Sequence, residues 1–259
     1  MISITEQVKT LIPPRYFPMV QKLYRKICML QYIGNRVYCP CCDSHFRRFI
    51  PYSIGIPYGP RRNGLCPHCA SLDRHRLLWL YLPNCTNIFR DRLRVLHFAP
   101  EPIFQKKLRA SPNLDYTSAD LNSPFAMVKL DITDIPYAEN TFDVVLCSHV
   151  LEHIPDDRKA MSELYRILKP GGWALLLVPF DAERPETFED PDVVDPKERT
   201  RLFGQFDHVR VYGRDFKDRL ESAGFTVRQE FYARELDQVL AQRYQVLVEL
   251  DMFYCTKST

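Results

Sequence analysis

Four apolar runs constrain this chain more than any other feature: LRVLHFAP from Leu93, LDYTSADL from Leu114, FDVVLCSHV from Phe142 and WALLLVPF from Trp173, each closing on turn residues. Strands that are apolar along most of their length, rather than on alternate residues, are covered on both faces. Between the runs lie stretches of helical pattern that can supply the cover, with helices expected over residues 101–110, 156–168 and 213–223. The last of these meets Gly224, a natural C-cap before FTVRQEFY. The fold expected is α/β, a doubly wound and mostly parallel sheet.

In such sheets a ligand binds beyond the carboxyl ends of the strands, near the point where the strand order reverses. The first run reaches its end near Leu96, and about twenty residues later Asp120 closes the second, where an acidic side chain accepts both hydroxyls of an adenosine ribose. Asp131, in KLDITDIPY, ends the next short segment, where a loop carboxylate meets an adenine amino group. Strand ends also carry Asp simply to make turns, so the ordered recurrence of the two carries the weight.

The chain holds nine cysteines, and four of them form two pairs, Cys39 with Cys42 and Cys66 with Cys69, with residues 43–65 between. Each CxxC turn presents two sulfurs to one tetrahedral ion, which is the arrangement of a four-thiolate zinc site. Cys41 and His68 lie inside the knuckles as alternative ligands. Four thiolates leave no open position for water, so the metal is expected to be structural Zn2+, folding a segment too small to fold alone. A redox CxxC is the alternative, but neither pair is flanked by a thioredoxin-like strand and helix. After the second knuckle SLDRHRLLWLYL predicts a helix over 71–82, with Leu72, His75, Leu78, Trp79 and Leu82 on its apolar face and Arg74 and Arg76 pointing away from it.

Charge divides the chain. Residues 1–92 hold 14 Lys/Arg against 4 Asp/Glu, and the remainder 21 against 28. A basic face docked on an acidic one explains this, and so does an anion-binding first third. No run of about 18 uncharged apolar residues occurs, so no membrane span is expected. YFPMVQKLYRKICMLQYIG, the most apolar N-terminal stretch, is broken by Lys22, Arg25 and Lys26. Without a secretory signal, and with cysteines in metal-type pairs, a reducing cytoplasmic location is expected.

HFAPE, SADL, LDITDIPYAENTFDVVLCSHVLEHI and ELYRILKPGGWALLLVPF resemble the successive motifs of class I S-adenosylmethionine-dependent methyltransferases of the small-molecule type. Further on, FGQFDHVRVYGRDFKDRLESAGF and LDMFYCTKS resemble the C-terminal part of a bacterial subset that also carries a CPxC…CPxC segment followed by an RHRLLWLYL-like helix. The resemblance implies a seven-stranded Rossmann-like sheet with an antiparallel last strand and a small zinc-ribbon-like segment before it. Three regions follow: an N-terminal helical segment over 1–35, expected to pack on the core; a zinc-binding segment with its connecting helix over 36–92; and the methyltransferase domain over 93–259.

Carried over residue by residue, the resemblance places the cofactor loop on His97, Phe98, Ala99, Pro100 and Glu101, the ribose-binding acid on Asp120 with Leu121 beside it, and the adenine side on Asp131 and Ile132. Cys147, Ser148 and His149 would lie under the methionine moiety. One departure stands out: the usual glycine-rich loop reads FAPE, and Pro100 has no N–H to donate.

A hydroxyl acceptor must lose a proton, and a general base with a pKa near neutrality suits that task. His149, and His208 with its neighbour Asp207, are the candidates; His153 and Glu152 of the LEHI turn are expected to hold the loop in shape. Residues 181–212 form the expected acceptor-site loop or lid. Its first twenty residues carry eight acids against three bases, as a lid that repels phosphate or as a solvated connector. The place after the fourth strand reads CSHV, where relatives acting on base amines carry a PP(Y/F) tetrad. The expected acceptor is therefore a small molecule, methylated on an oxygen of a hydroxyl or carboxylate in a sugar, secondary metabolite or peptide. RNA bound by the basic zinc segment is the alternative, and a non-catalytic binding module a further one. Nothing in the sequence sets an oligomeric state.

Overall fold

The computed structural model describes residue 27 and residues 29–52, 61–247 and 249–259, with the backbone alone at 61 and 62. Most of the expected 1–35 segment lies outside these residues. Contacts divide the chain into two compact units. One is built from 29–52, 61–80 and 236–247, the other from 81–235 and 249–259.

The first unit is made of short antiparallel pairs. Strand β1 (Val37–Cys39) pairs with β2 (Ser44–Phe46), and β3 (Ile50–Tyr52) with β4 (Arg61–Leu65). Both cysteine knuckles end on a residue of positive φ, Asp43 at 53° after Cys42 and Ala70 at 58° after Cys69. Each knuckle thus turns through the left-handed region immediately after its second cysteine. Helix α1 (Asp73–Cys85) follows, passing through Pro83 beyond the expected end at Leu82.

Arg76 corrects the expected helix face. It is fully buried, and its guanidinium donates to the carbonyls of Gly64, Ser71, Tyr244 and Gln245 at 2.6–3.2 Å while lying 4.5 Å from the Phe49 ring centroid. The apolar periodicity of the helix gave no hint of it, because the four carbonyls come from outside the helix.

The second unit is laid out in chain order as β5 (Leu93–Phe98), α2 (Pro102–Arg109), β6 (Leu114–Asp120), β7 (Val128–Lys129), β8 (Phe142–Ser148), α3 (Asp157–Ile167), β9 (Leu168–Leu177), β10 (Phe188–Glu189), α4 (Pro196–Phe203), β11 (Arg210–Val211), α5 (Phe216–Ser222), β12 (Thr226–Glu230) and α6 (Tyr232–Glu235). Helix α7 (Gln238–Tyr244) returns to the first unit, where Tyr244 packs on Tyr38 with ring centroids 5.8 Å apart. The last strand, β13 (Met252–Thr256), closes the sheet.

Seven strands form one sheet in the order β12-β13-β9-β8-β5-β6-β7. The five from β9 to β7 run parallel, and β13 is antiparallel to both of its neighbours. This is the doubly wound, mostly parallel sheet with an antiparallel last strand expected from the motifs.

The helices form for legible reasons. In α3, Asp156 caps the first turn by accepting from the Lys159 N–H, and Ala160, Met161, Leu164 and Ile167 recur at helical spacing and are buried. They pack into one core with Leu96, Phe98, Val145, Cys147, Leu176 and Phe253. Gly224 stands at φ +108°, and a Cβ there would meet the Tyr165 ring at 2.8 Å, so the end of α5 admits no side chain. Among the described residues no helix is long and apolar enough to cross a membrane.

Candidate functional site

Strands β5 and β6 are adjacent and parallel, with Phe98 opposite Ala119. Their carboxyl ends therefore bring the FAPE loop and Asp120 together. Ala99 sits at φ 45° and its N–H donates to the Ala119 carbonyl at 2.9 Å. The left-handed conformation that a glycine would adopt freely is taken up here by alanine, at a cost of about 1–2 kcal/mol. The turn needs neither an N–H from residue 100 nor a glycine to form.

Asp120 ends β6. Its Oδ1 accepts from the N–H groups of Asn122 and Ser123 at 2.7 and 2.6 Å. These bonds orient the carboxylate, and Oδ2 takes no part in them. Asp131 is held the same way, its Oδ1 accepting from the Thr133 N–H and hydroxyl, both at 2.8 Å, which lowers its pKa. Ile132 next to it is buried. Leu121 is 45% exposed.

Under the FAPE loop lies a buried chain that the motifs did not announce. His97, fully buried, contacts the Tyr116 hydroxyl through Nδ1 at 2.9 Å and Glu101 Oε2 through Nε2 at 3.1 Å. Burial raises the Tyr116 pKa, so the phenol stays protonated. The chain ties the end of β5 to the start of α2 and to β6. Tyr116 stands two residues before Ser118 on an inward-facing register that alternation would have marked as core only.

At the end of β8, Cys147 and Ser148 are buried and His149 turns out of the strand at φ 54°. His149 Nδ1 lies 3.0 Å from Glu152 Oε1. Burial pushes the Glu152 carboxyl up, but the hydrogen bond from His149 and the charges of His149, His153 and His208 outweigh it, and its pKa is lowered. His208 is 4% exposed, with Nδ1 3.0 Å from the Phe203 carbonyl, and burial lowers its pKa. Its ring meets that of His153 edge-on, with centroids 4.7 Å apart. Asp207 reaches His153 Nδ1 at 3.4 Å, so its ion pair is with His153.

The acidic segment is partly clamped. Glu189 on β10 binds Arg210 at 2.8 Å and Arg219 at 3.0 Å. Arg219 continues to Asp157 and Asp215, and Tyr212 donates to Asp157 at 2.9 Å. Arg210 also donates to the carbonyls of Leu151, Ile154 and Pro155, fixing the LEHI turn from behind.

In the first unit, the sulfurs of Cys39 and Cys69 are 3.6 Å apart and those of Cys42 and Cys66 3.7 Å, and all four lie within 4.8 Å of one another. Zn–S bonds of about 2.3 Å at tetrahedral angles put sulfurs about 3.8 Å apart, so the cage has the right size and donor set for zinc. Ser71 Oγ stands 3.2 Å from two of the sulfurs. Cys41 instead faces the His75 carbonyl, and His68 faces Ser44, so neither alternative ligand joins the cage.

The seven-stranded sheet order, with β13 antiparallel between β12 and β9, is the fold of class I methyltransferases. Comparison with known proteins agrees over the same residues: 93–176 match the family model described as a methyltransferase domain. The chain is similar to the ubiquinone/menaquinone biosynthesis C-methyltransferase of Desulfotalea psychrophila, 32% identical over 161 residues, covering 62% of this chain and 58% of that protein. The enzyme of the same name from Haemophilus ducreyi is 44% identical over 50 residues, covering 19% of each. The chain thus spans little more than half of one relative and a fifth of the other. Among solved structures, the YcgJ protein of Bacillus subtilis has 14% identity and a TM-score of 0.44 over 66% of this chain and 94% of its own.

Proposed function

We propose that this protein transfers a methyl group from S-adenosylmethionine to an oxygen of a small-molecule acceptor, and that Cys39, Cys42, Cys66 and Cys69 hold a structural zinc ion that folds the first unit. The juxtaposition of Asp120 with the left-handed Ala99 turn on neighbouring parallel strands carries the cofactor assignment. When bound, the cofactor supplies a methyl group already activated on a positively charged sulfur. The chain's own part is to bind, align and manage one proton.

His97, Phe98, Ala99, Pro100 and Glu101 form the loop against the cofactor, Asp120 and Leu121 take its ribose, Asp131 and Ile132 its adenine, and Cys147, Ser148 and His149 its methionine end. His149 is the proton acceptor. Glu152 holds its Nδ1 side, which leaves Nε2 as the basic nitrogen and stabilises the imidazolium once the acceptor hydroxyl has given up its proton. His208 and, through His153, Asp207 build the adjoining wall. The similarity to enzymes named for carbon methylation supports a second reading, transfer to a ring carbon beside a hydroxyl, and the same proton acceptor would serve it.

The test is native mass spectrometry of the purified full chain for bound zinc and nucleoside, followed by transfer of labelled methyl to panels of hydroxylated small molecules, hydroxylated aromatic rings and bulk RNA. One zinc, a bound nucleoside and label on the small molecules are expected. Absence of S-adenosylmethionine and S-adenosylhomocysteine binding at millimolar concentration would overturn the proposal.

A further inference from the structure

Glu152, His153 and His208 each present one donor atom, and the three atoms lie within 4.8 Å of one another. Glu152 is fully buried. Its Oε1 is taken by His149, while Oε2, also buried, finds no hydrogen-bond partner among the described residues. A buried carboxylate oxygen without a partner is costly, and native folds retain one where something else satisfies it.

Both imidazoles are set up as ligands. The Phe203 carbonyl can only accept, so its contact fixes the proton of His208 on Nδ1 and leaves a lone pair on Nε2. The Asp207 carboxylate beside Nδ1 of His153 acts in the same sense. A backbone carbonyl behind one imidazole and a carboxylate behind the other are the partners that metal-bound histidines have. The wall is also rigid. The Val209 N–H donates to the Glu152 carbonyl at 2.9 Å, and the buried Arg210 pins the carbonyls of Leu151, Ile154 and Pro155.

We infer that Glu152, His153 and His208 form a second metal site, separate from the cysteine cage, that takes one divalent transition-metal ion through a carboxylate oxygen and two imidazole nitrogens. Such a donor set prefers zinc, cobalt, nickel or ferrous iron to magnesium or calcium. Three protein ligands leave a coordination position open, unlike the cage. The site stands whether or not the acceptor is the one proposed above, since it is read from metal binding and not from turnover.

The test is a Co2+ titration of the full-length protein with its cage zinc in place, after brief dialysis against a weak chelator. One equivalent of Co2+ is expected, with d–d absorption and no thiolate-to-cobalt charge-transfer band. Glu152→Gln keeps the side-chain shape and is expected to weaken that equivalent at least 100-fold, more than second-shell losses of about 10–100-fold. His153→Gln, at a half-exposed residue, is expected to weaken it similarly and decides the matter if Glu152→Gln does not fold. Absence of a Co2+ equivalent below millimolar concentration, a sulfur charge-transfer band accompanying it, or undiminished binding in folded His153→Gln would overturn the assignment.

Discussion

Asp120→Ala removes two different things, and the structure lets their sizes be separated. Oδ1 accepts the N–H groups of Asn122 and Ser123, so alanine leaves the turn after β6 without its side-chain acceptor. Each such bond contributes about 0.5–1.5 kcal/mol, and the turn is partly solvated, so the fold should lose about 1 kcal/mol, a shift of a few degrees in melting temperature. The charge-assisted bonds to the ribose hydroxyls should cost a further 1.5–3 kcal/mol of binding, roughly ten- to a hundredfold in affinity. Asp120→Asn separates the two, because an amide oxygen still accepts both N–H groups while the charge is gone. Isothermal titration with S-adenosylhomocysteine, beside thermal unfolding of the free protein, reads both quantities. The expected pattern is an intact melting temperature with weakened binding for asparagine, and a loss in both for alanine. Alanine binding the nucleoside as tightly as the parent would remove Asp120 from the cofactor site.

The remaining predictions concern the scaffold. Cys66→Ser should lose the zinc and with it the folded first unit, since metal binding on the order of 10 kcal/mol holds such segments together; zinc content and limited proteolysis check this, and a fully folded, zinc-loaded variant would contradict it. Asp157→Asn leaves Arg219 and Tyr212 facing a neutral amide in a buried network, and chemical denaturation should show a loss of about 2–4 kcal/mol. Burial raises the Glu189 and Asp215 pKa values, but their hydrogen bonds, to Arg210 and Arg219 for Glu189 and to Thr187 and Arg219 for Asp215, outweigh it and both are lowered. Their contribution is therefore complete above the ordinary carboxylate pKa of about 4 and is lost as pH falls through the lowered values. Glu189→Gln should accordingly be less stable at neutral pH and lose less stability on acidification than the parent, as read from denaturation at a series of pH values.

The sheet was legible because it depends on local information. A run such as FDVVLCS is apolar on both faces, and the spacing from Asp120 back to the first strand is set by one helix and two turns. The caps at Asp156 and Gly224 were likewise legible, since each acts within a few residues. The cage was legible because CxxC spacing is itself the geometry of two sulfurs on one ion. Arg76 was not, because its four carbonyl partners include Tyr244 and Gln245, 168 and 169 residues away. The partners of Glu152 were hidden for the same reason: His149 and His153 are near it in sequence, but His208 comes from beyond β9 and α4. Helical periodicity and neighbour spacing report what a side chain turns away from, and only the tertiary fold reports what it meets.

The acidic segment shows how that difference bears on the acceptor. Counted along the sequence, its eight acids form a field that would turn a phosphate backbone away. In the fold Glu189 is neutralised by Arg210 and Arg219, Asp181 by Arg184 and Glu198 by Arg201, while Asp190 and Asp195 accept backbone N–H groups of their own turns. Paired charges project little potential beyond a Debye length of about 8 Å at physiological salt. Three of the eight carboxylates are thus paired with a cation, Glu189 among them tying the segment to Arg219 of α5, while Asp190 and Asp195 keep their charge as they shape turns. In the proposed site, discrimination among acceptors would then rest both on this residual field, which salt screens, and on the donors of His149 and His153, which act at contact distance.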